Sequence, residues 1–234
     1  MKTLSRQVEA LLERLASASV EPLYQDPFWE ERYGLERARR FGDEDARFHV
    51  RYLVQALAEE RPSVMEGYAR WLRTLLVSRG MCTRHVDAHF AGLAAALEKE
   101  GWGPGTPPHD YVGAARAALR YTEGPSGLLA PEAPELARAA AKRLALYVRP
   151  DELPRLEEEL QLQLSYLADA LAAERKELMA DHVRWYVAFW PRRGFGLLAF
   201  PSVLGMLKAV LGPRHPEART LLADAGVSWE ETRS

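Results

Sequence analysis

Isoleucine and asparagine are absent from the 234-residue sequence, and there are only seven threonines and one cysteine. β-branched residues favour strands and Asn-Gly pairs favour tight hairpins, so these absences argue against an all-β or a parallel α/β domain. No segment alternates apolar and polar residues for the length of a half-buried strand. Leucine (34) and alanine (35) are abundant instead, which is typical of helices. The sequence predicts an all-α fold of about eight to ten helices.

Charge of one sign and long apolar runs are also lacking. The 31 basic and 33 acidic residues give a net charge of −2, and this balance gives no field that favours nucleic acid or anionic membranes. No run approaches the length of a membrane span, and the N-terminus lacks the apolar centre of a signal peptide. We therefore expect a cytoplasmic protein with neither nucleic acid nor membrane as a partner. The 26 arginines against five lysines suggest a bacterial, thermophilic source.

An internal duplication appears when the chain is shifted by 114 residues. Residues 52–80 align with residues 166–194 without a gap, and 12 of the 29 positions are identical. The identities include Tyr, Trp, Met, Arg and Glu, which shared helical amphipathicity alone does not match. A period of this length lies far above the repeats of solenoid proteins. The sequence therefore predicts two pseudo-symmetric helical bundles rather than a repeat array.

The predicted organisation has three parts: a helical unit over residues 1–100, a linker with one helix over 101–131, and a second helical unit over 132–234. Clusters of Gly and Pro at 101–108 and 124–134 predict loops on either side of that single helix. In each unit, the aligned segment covers two helices that follow each other closely.

A polar residue interrupts the inward face of the same helix in both predicted units. His49 lies among apolar residues in the first unit and Gln163 takes the matching position in the second, each three residues before a tyrosine, Tyr52 or Tyr166. Two interpretations stay open. The polar side chain is hydrogen-bonded to a tyrosine hydroxyl or a backbone carbonyl, or it anchors a ligand in a pocket lined by aromatic residues.

Two further matched pairs follow on the next helix. Trp71 and Trp185 are predicted to be core anchors, with stacking on a flat ligand as the alternative. Arg79 and Arg193 fall on the inward arc near the end of that helix. We expect their stems to cover apolar surface while the guanidinium groups reach the last carbonyls, or else bind an anion.

His85 and His89 are four residues apart and therefore lie on one side of a helix. With His49 as a third ligand they form a candidate metal or haem site, although the His-x3-His pattern lacks the Glu of an HExxH motif. The second unit has Ala199 and Val203 at the matching positions. The alternative is that both histidines belong to the surface and boundary of the helix.

The segment 26–42 has little counterpart in the second unit. It mixes four aromatic residues with Arg37, Arg39 and Arg40, a combination that could bind single-stranded nucleic acid or a flat anionic ligand. Interleaved glutamates offset this charge, so we expect a strap that packs its aromatic rings on the first unit. The four rings are Phe28, Trp29, Tyr33 and Phe41.

The stretch from Phe28 to Glu100, which includes FWEERYGLERARRFGDEDARFHVRYLVQAL and RWL, resembles helical modules that accompany cobalamin-binding domains in bacterial light and stress regulators. The Asp-x-His-x-x-Gly signature of the cobalamin-binding domain itself is missing from this sequence. What the resemblance implies is a sensor or partner-docking role.

The sequence shows no phosphate-binding glycine loop, nucleophile elbow or paired-cysteine zinc motif. The preferred hypothesis is a non-enzymatic sensor or protein-interaction module that binds a small ligand between or within its units. Its cofactor, if it has one, is not identified by any motif. Two alternatives are a metal- or haem-binding redox or sensor protein, and a structural adaptor or homodimer. The residues expected to bind a ligand are His49, Tyr52, Trp71, Arg79, Gln163, Tyr166, Trp185 and Arg193.

Overall fold

The computed structural model describes residues 2–196 and 198–231, and the regular structure in this part of the chain is helical throughout. Over these residues the structure contains twelve α-helices, more than the eight to ten expected, and no strand, which confirms the predicted all-α fold. The helices are α1 (Lys2–Ala10), α2 (Leu12–Val20), α3 (Pro27–Tyr33), α4 (Leu35–Glu59), α5 (Ser63–Val77), α6 (Thr83–Lys99), α7 (Pro107–Ala118), α8 (Gly124–Leu144), α9 (Leu153–Ala172), α10 (Lys176–Phe189), α11 (Phe200–Leu211) and α12 (Pro216–Glu231).

None of these helices, over the described residues, combines the length and the apolar character that crossing a membrane requires.

The chain forms two compact units whose boundaries differ from the predicted ones. Unit 1 comprises Met1–Leu76 and Arg84–Arg120, and unit 2 comprises Val77–Thr83 and Tyr121–Ser234. Helix α7 therefore belongs to unit 1 and is not part of a separate linker. The short segment Val77–Thr83 belongs to unit 2 although it lies between two helices of unit 1.

Hydrogen bonds to α9 explain why this segment belongs to unit 2. The carboxylate of Asp169 accepts hydrogen bonds from the backbone N–H of Thr83 at 2.6 Å and from the Thr83 hydroxyl. The hydroxyl of Tyr121 also donates to Asp169, at 2.6 Å. The hydroxyl of Tyr166 donates to the carbonyl of Gly80 at 3.1 Å. Because Asp169 is buried, the charge-assisted bonds to its carboxylate hold Thr83 and Tyr121 against α9 within unit 2.

The predicted loop at 124–134 is wrong, because α8 begins at Gly124 and continues through Pro131 and Pro134. Pro125 occupies the first turn, where a missing N–H leaves no hydrogen bond unmade. Pro131 and Pro134 each remove one helical hydrogen bond, but the buried stripe of α8 packs on α9 and holds the helix. That stripe consists of Leu129, Ala137, Ala140, Ala141 and Leu144.

The two aligned hairpins end their first helix in the same way. Among the described residues, Glu60 after α4 and Glu174 after α9 are the non-glycine positions with positive φ, at 58° and 52°. In each case the backbone N–H of the following arginine donates a hydrogen bond to a carbonyl of the last helical turn. Arg61 donates to Ala56, and Arg175 donates to Ala170. These positions are 114 residues apart, so the matched backbone supports the predicted duplication.

Unit 1 places its core between α4, α5 and α6. Leu53 and Leu57 of α4, Met65 of α5 and Leu93 of α6 are all fully buried. Helix α2 approaches α6 closely: a Cβ at Gly92 would lie 2.1 Å from the carbonyl oxygen of Ser19. A side chain at Gly92 would therefore push α2 away from the core.

Candidate functional site

His49 is buried at the centre of unit 1 and shares a hydrogen bond with Tyr68. Its Nδ1 atom lies 2.7 Å from the Tyr68 hydroxyl oxygen. The ring of Tyr68 stacks on that of Tyr52, with centroids 3.8 Å apart and planes 13° from parallel. Burial raises the pKa of Tyr68 well above its usual value. Helix α4 thus supplies His49 and Tyr52, and α5 supplies the hydroxyl that the imidazole needs.

Unit 2 makes the same two contacts at positions 114 residues later. The Nε2 of His182 lies 2.7 Å from Oε1 of Gln163. The ring of Tyr166 stacks on the ring of His182, with centroids 3.5 Å apart. Tyr68 and His182 are aligned with each other in the duplicated segment. Both units therefore bury a polar residue of the first helix against an aromatic partner on the second. For His49 that partner is a tyrosine hydroxyl, as the hydrogen-bonded interpretation expects, whereas Gln163 is bonded to a histidine ring.

In unit 2 the polar cluster is larger, and all its members are buried except Arg193, which is half-buried. Nε2 of Gln163 donates to Glu159 at 3.0 Å, and the hydroxyl of Tyr186 also donates to this carboxylate. Nε of Arg193 lies 2.8 Å from Glu159 Oε2 and 3.1 Å from the Tyr186 oxygen. Arg193 therefore pairs with a buried carboxylate, a contact that the sequence did not predict. Burial and the charge of Glu159 raise the pKa of Tyr186.

Unit 1 contains what we call the imidazole centre, formed by His49, His85 and His89. His49 and His89 are in contact, with ring centroids 5.5 Å apart and planes at 86°. Nε2 of His49 and both ring nitrogens of His89 are buried without a hydrogen-bond partner. Burial lowers the pKa of His89 to about 4, and burial together with His89 lowers the pKa of His49. Both rings are therefore neutral at physiological pH.

Helix α3 covers the imidazole centre with two buried aromatic rings. The ring of Phe28 stacks on His85, with centroids 4.3 Å apart. Trp29 meets His85 at 5.5 Å and His89 at 5.6 Å, in edge contacts. The predicted strap is confirmed for Phe28 and Trp29, which are buried. Phe41, expected to pack with them, lies on α4 and is exposed.

The three histidines of the candidate metal site lie close together, but their rings are not arranged to bind a metal ion. Within residues 2–196 and 198–231, no group of three or more His, Cys, Asp or Glu side chains could hold a metal ion. The rings of His49 and His89 meet edge to face, and His85 stacks on Phe28. His85 and His89 are buried, so their placement at the surface of the helix is wrong as well.

A second feature of unit 1 is an exposed surface that we call the arginine–aromatic face. Phe41 is 42% exposed, Phe48 40% and Trp71 57%. The Arg40 guanidinium lies 4.6 Å from the centroid of Phe41. The arginine–aromatic face consists of Arg37, Arg40, Phe41, Phe48, Arg51 and Trp71.

The exposure of Trp71 corrects the prediction of a core anchor. The buried stripe of α5 runs through Met65, Leu72 and Leu76, and Trp71 lies about 120° around the helix from Met65. Its ring instead packs beside Tyr68, with centroids 6.0 Å apart. The matching Trp185 is half-buried and stacks on Phe189 at 4.8 Å.

Arg79, like Trp71, is not on the inward face where the sequence predicted it. Helix α5 ends at Val77, so Arg79 falls in the following turn and is exposed. The remaining candidates divide between the units. His49, Tyr52 and Trp71 lie in unit 1, and Gln163, Tyr166, Trp185 and Arg193 lie in unit 2.

Four residues of these clusters, Tyr68, His182, Glu159 and Tyr186, were not identified as site residues from the sequence. Tyr68 and His182 are aligned but differ in residue type, so a search for identical residues in the two copies does not find them. A search for aligned aromatic residues would have found them. Glu159 aligns with Asp45 just before the duplicated stretch. A search for matched acidic positions would have found this pair.

Comparison with protein-family models, with curated protein sequences and with solved structures gives no match to this chain.

Proposed function

We propose that this chain is a non-enzymatic sensor and protein-interaction module, which docks an acidic amphipathic helix of a partner protein on the arginine–aromatic face. The observation that carries the proposal is the exposure of Phe41, Phe48 and Trp71 beside arginines. Tryptophan and arginine dominate binding energy at protein interfaces, where they insert into apolar pockets and pair with carboxylates.

The spacing of the face suits a helical partner. Phe41 and Phe48 are seven residues apart on α4, which places them two turns apart on one side. Trp71 extends the apolar surface from the neighbouring helix through its contact with Tyr68. A ridge of this kind fits the i, i+3, i+4, i+7 anchors of an amphipathic helix.

The charges of the face favour an acidic partner. The Arg37 and Arg51 guanidinium groups each lie 5.6 Å from the centroid of an exposed ring, Phe41 and Phe48 respectively, and Arg40 lies closer still. Between Arg37 and Arg51 the same side of α4 carries two carboxylates, those of the exposed Glu44 and the half-buried Asp45. Three guanidinium groups against two carboxylates leave this side of α4 with a net positive charge, and the planar shape of the guanidinium suits bidentate pairing with Glu or Asp.

A chain of contacts inside unit 1 supports the sensor part of the proposal. Trp71 packs beside Tyr68, Tyr68 is hydrogen-bonded to His49, and His49 contacts His89. A change at the imidazole centre would move Tyr68 and therefore reposition Trp71. The resemblance to helical modules of bacterial regulators agrees with such a role.

Fluorescence anisotropy tests the docking. The probe is a labelled helical peptide with Leu and Glu at amphipathic spacing, and its counterpart carries Lys in place of Glu. We expect the full-length protein to bind the acidic peptide and Trp71→Ala to weaken binding about thirtyfold, the effect of losing an interface hot spot of about 2 kcal/mol. Leu146→Ala in unit 2 is the matched control, because Leu146 is 94% exposed and lies outside the face.

Three results would overturn the docking proposal. The first is equal affinity for the acidic and the basic peptide. The second is unchanged binding by Trp71→Ala and by a Phe41→Ala, Phe48→Ala double variant. The third is tighter binding of an oligothymidylate than of the acidic peptide, since this would assign the face to single-stranded nucleic acid.

A further inference from the structure

The imidazole centre holds three buried polar atoms that the protein leaves unsatisfied. They are Nε2 of His49 and both ring nitrogens of His89. His49 is 1% exposed and His89 5%, so bulk water does not reach them. A buried donor or acceptor without a partner carries its full desolvation penalty, and folded proteins satisfy nearly all such groups.

Unit 2 shows that the duplicated architecture does not require these unsatisfied atoms. The residue matching His49 is Gln163, whose amide is bonded on one side to Glu159 and on the other to His182. The residue matching His89 is Val203, which has no polar atom to satisfy. The unsatisfied nitrogens are therefore specific to unit 1 and have no role in holding the common hairpin together.

The chemistry of the centre defines what would satisfy it. A neutral imidazole carries one N–H donor and one acceptor nitrogen, so His89 offers one of each. Burial keeps both rings neutral. The surrounding side chains are flat and aromatic, with Trp29 at the edge of His89 and Phe90 beside His49 at 5.1 Å. A matching ligand is apolar and flat, and it carries one group that both donates and accepts a hydrogen bond.

The cover over the centre is a short element with a break at each end. Helix α3 has seven residues and is capped by the Asp26 side chain, which accepts from the N–H of Phe28 at 2.8 Å. Gly34 separates α3 from α4 with φ at +79°, a conformation that glycine adopts readily. Displacement of α3 as a unit would expose His89 while leaving α4 in place.

We propose that His49 and His89 form a binding site for a flat, largely apolar small molecule with a hydroxyl group, which enters by displacing Trp29 of α3. The hydroxyl donates to one ring nitrogen and accepts from an N–H of the pair. This ligand site does not depend on the docking of a helix to the arginine–aromatic face. Ligand binding and peptide binding are measured separately, so either can fail alone.

Phenol is the probe, and benzene is the matched probe without the hydroxyl. Titration of the full-length protein is followed by ¹⁵N-detected NMR of the histidine rings and by thermal unfolding. We expect phenol to shift the ring ¹⁵N signals of His49 and His89 and to leave those of His109 unchanged. At ten times its Kd, phenol should raise the melting temperature by about 3–5 °C.

The variant His89→Phe keeps a flat ring of similar size without the nitrogens, and we expect it to lose phenol binding at least tenfold. His109→Phe, outside the centre in the same unit, should bind phenol as the unaltered protein does. If His89→Phe does not fold, the ring ¹⁵N shifts of the unaltered protein decide the question. Unchanged His49 and His89 signals at saturating phenol, or equal binding of benzene and phenol, would overturn the proposal.

Discussion

The Nδ1 atom of His49 lies 2.7 Å from the hydroxyl oxygen of Tyr68, and Gln163 and His182 make the equivalent hydrogen bond 114 residues later. The chemical groups differ but the two positions are the same. The duplicated hairpin therefore provides one buried polar position on its first helix and one aromatic position on its second. In unit 2 the polar residue is part of a hydrogen-bonded network that includes Glu159 and Arg193. In unit 1 ring nitrogens of His49 and His89 have no hydrogen-bond partner.

The hydrogen bond of His49 is tested by Tyr68→Phe. This change keeps the ring that stacks on Tyr52 and removes the hydroxyl, so Nδ1 of His49 loses its partner. We expect the free energy of unfolding to fall by about 1–3 kcal/mol, measured by urea denaturation at neutral pH. Tyr52→Phe is the control, and it should change stability by less than about 0.5 kcal/mol. Equal effects of the two variants would contradict this assignment.

The buried ion pair of unit 2 is tested by Arg193→Met. Removal of the guanidinium leaves the Glu159 carboxylate buried without its counter-charge, so we expect a loss of about 3–5 kcal/mol in the free energy of unfolding. Glu159→Gln added to Arg193→Met should restore part of that loss, because a neutral amide replaces the charge. Arg184→Met removes an exposed pair with Asp181 and should cost less than about 1 kcal/mol. No recovery in the double variant would argue against charge burial as the cause.

Acid should destabilise unit 1 through the imidazole centre. The pKa of His89 is about 4 in the folded protein against 6.5 unfolded, so the unfolded state binds the proton first as pH falls. Stability is therefore lost between about pH 6.5 and pH 4, by about 3 kcal/mol for His89. The pKa of His49 is lowered too, which adds to the loss. Urea denaturation across this range should show a weaker pH dependence in His89→Phe. An unchanged slope in that variant would contradict the assignment.

The attachment of Val77–Thr83 to unit 2 is tested by Asp169→Ala. The change removes the acceptor for the Thr83 N–H, the Thr83 hydroxyl and the Tyr121 hydroxyl, so the segment should open more often. Trypsin cleavage after the exposed Arg79 should become at least tenfold faster, because such cleavage follows the population of locally open states. Asp181→Ala, at an exposed position in the same unit, should cleave at the original rate. Slow cleavage after Arg79 in Asp169→Ala would show that other contacts hold the segment.

Metal should have no effect on the stability of the protein. His49 and His89 meet edge to face and His85 stacks on Phe28, so their nitrogens do not converge on one point. Melting temperatures measured with EDTA and with added Zn²⁺ should agree within error. A rise with Zn²⁺ that His89→Phe abolishes would revive the metal-site hypothesis.

The matched positions of the hairpin could be predicted from the sequence, but their surroundings could not. The duplication predicted a polar residue on an inward face at His49 and Gln163, and both are buried. It did not identify Tyr68 or His182 as their partners, because helical periodicity gives the face of a residue and not the neighbour across it. Trp71 shows the same limit: helical periodicity placed it on the buried arc of α5, but the ring is exposed because the residues that pack lie on the other side of that arc.

Composition and apolar spacing act within single helices, so they are enough to predict the helical class and the aligned hairpin. The absence of isoleucine and asparagine already excluded the β-rich alternatives. Which polar groups meet depends instead on how the helices pack: Arg193 meets Glu159, Asp169 meets Thr83 and Tyr121, and the ring nitrogens of His89 have no hydrogen-bond partner. These contacts join residues distant in sequence, and their geometry depends on how the helices pack.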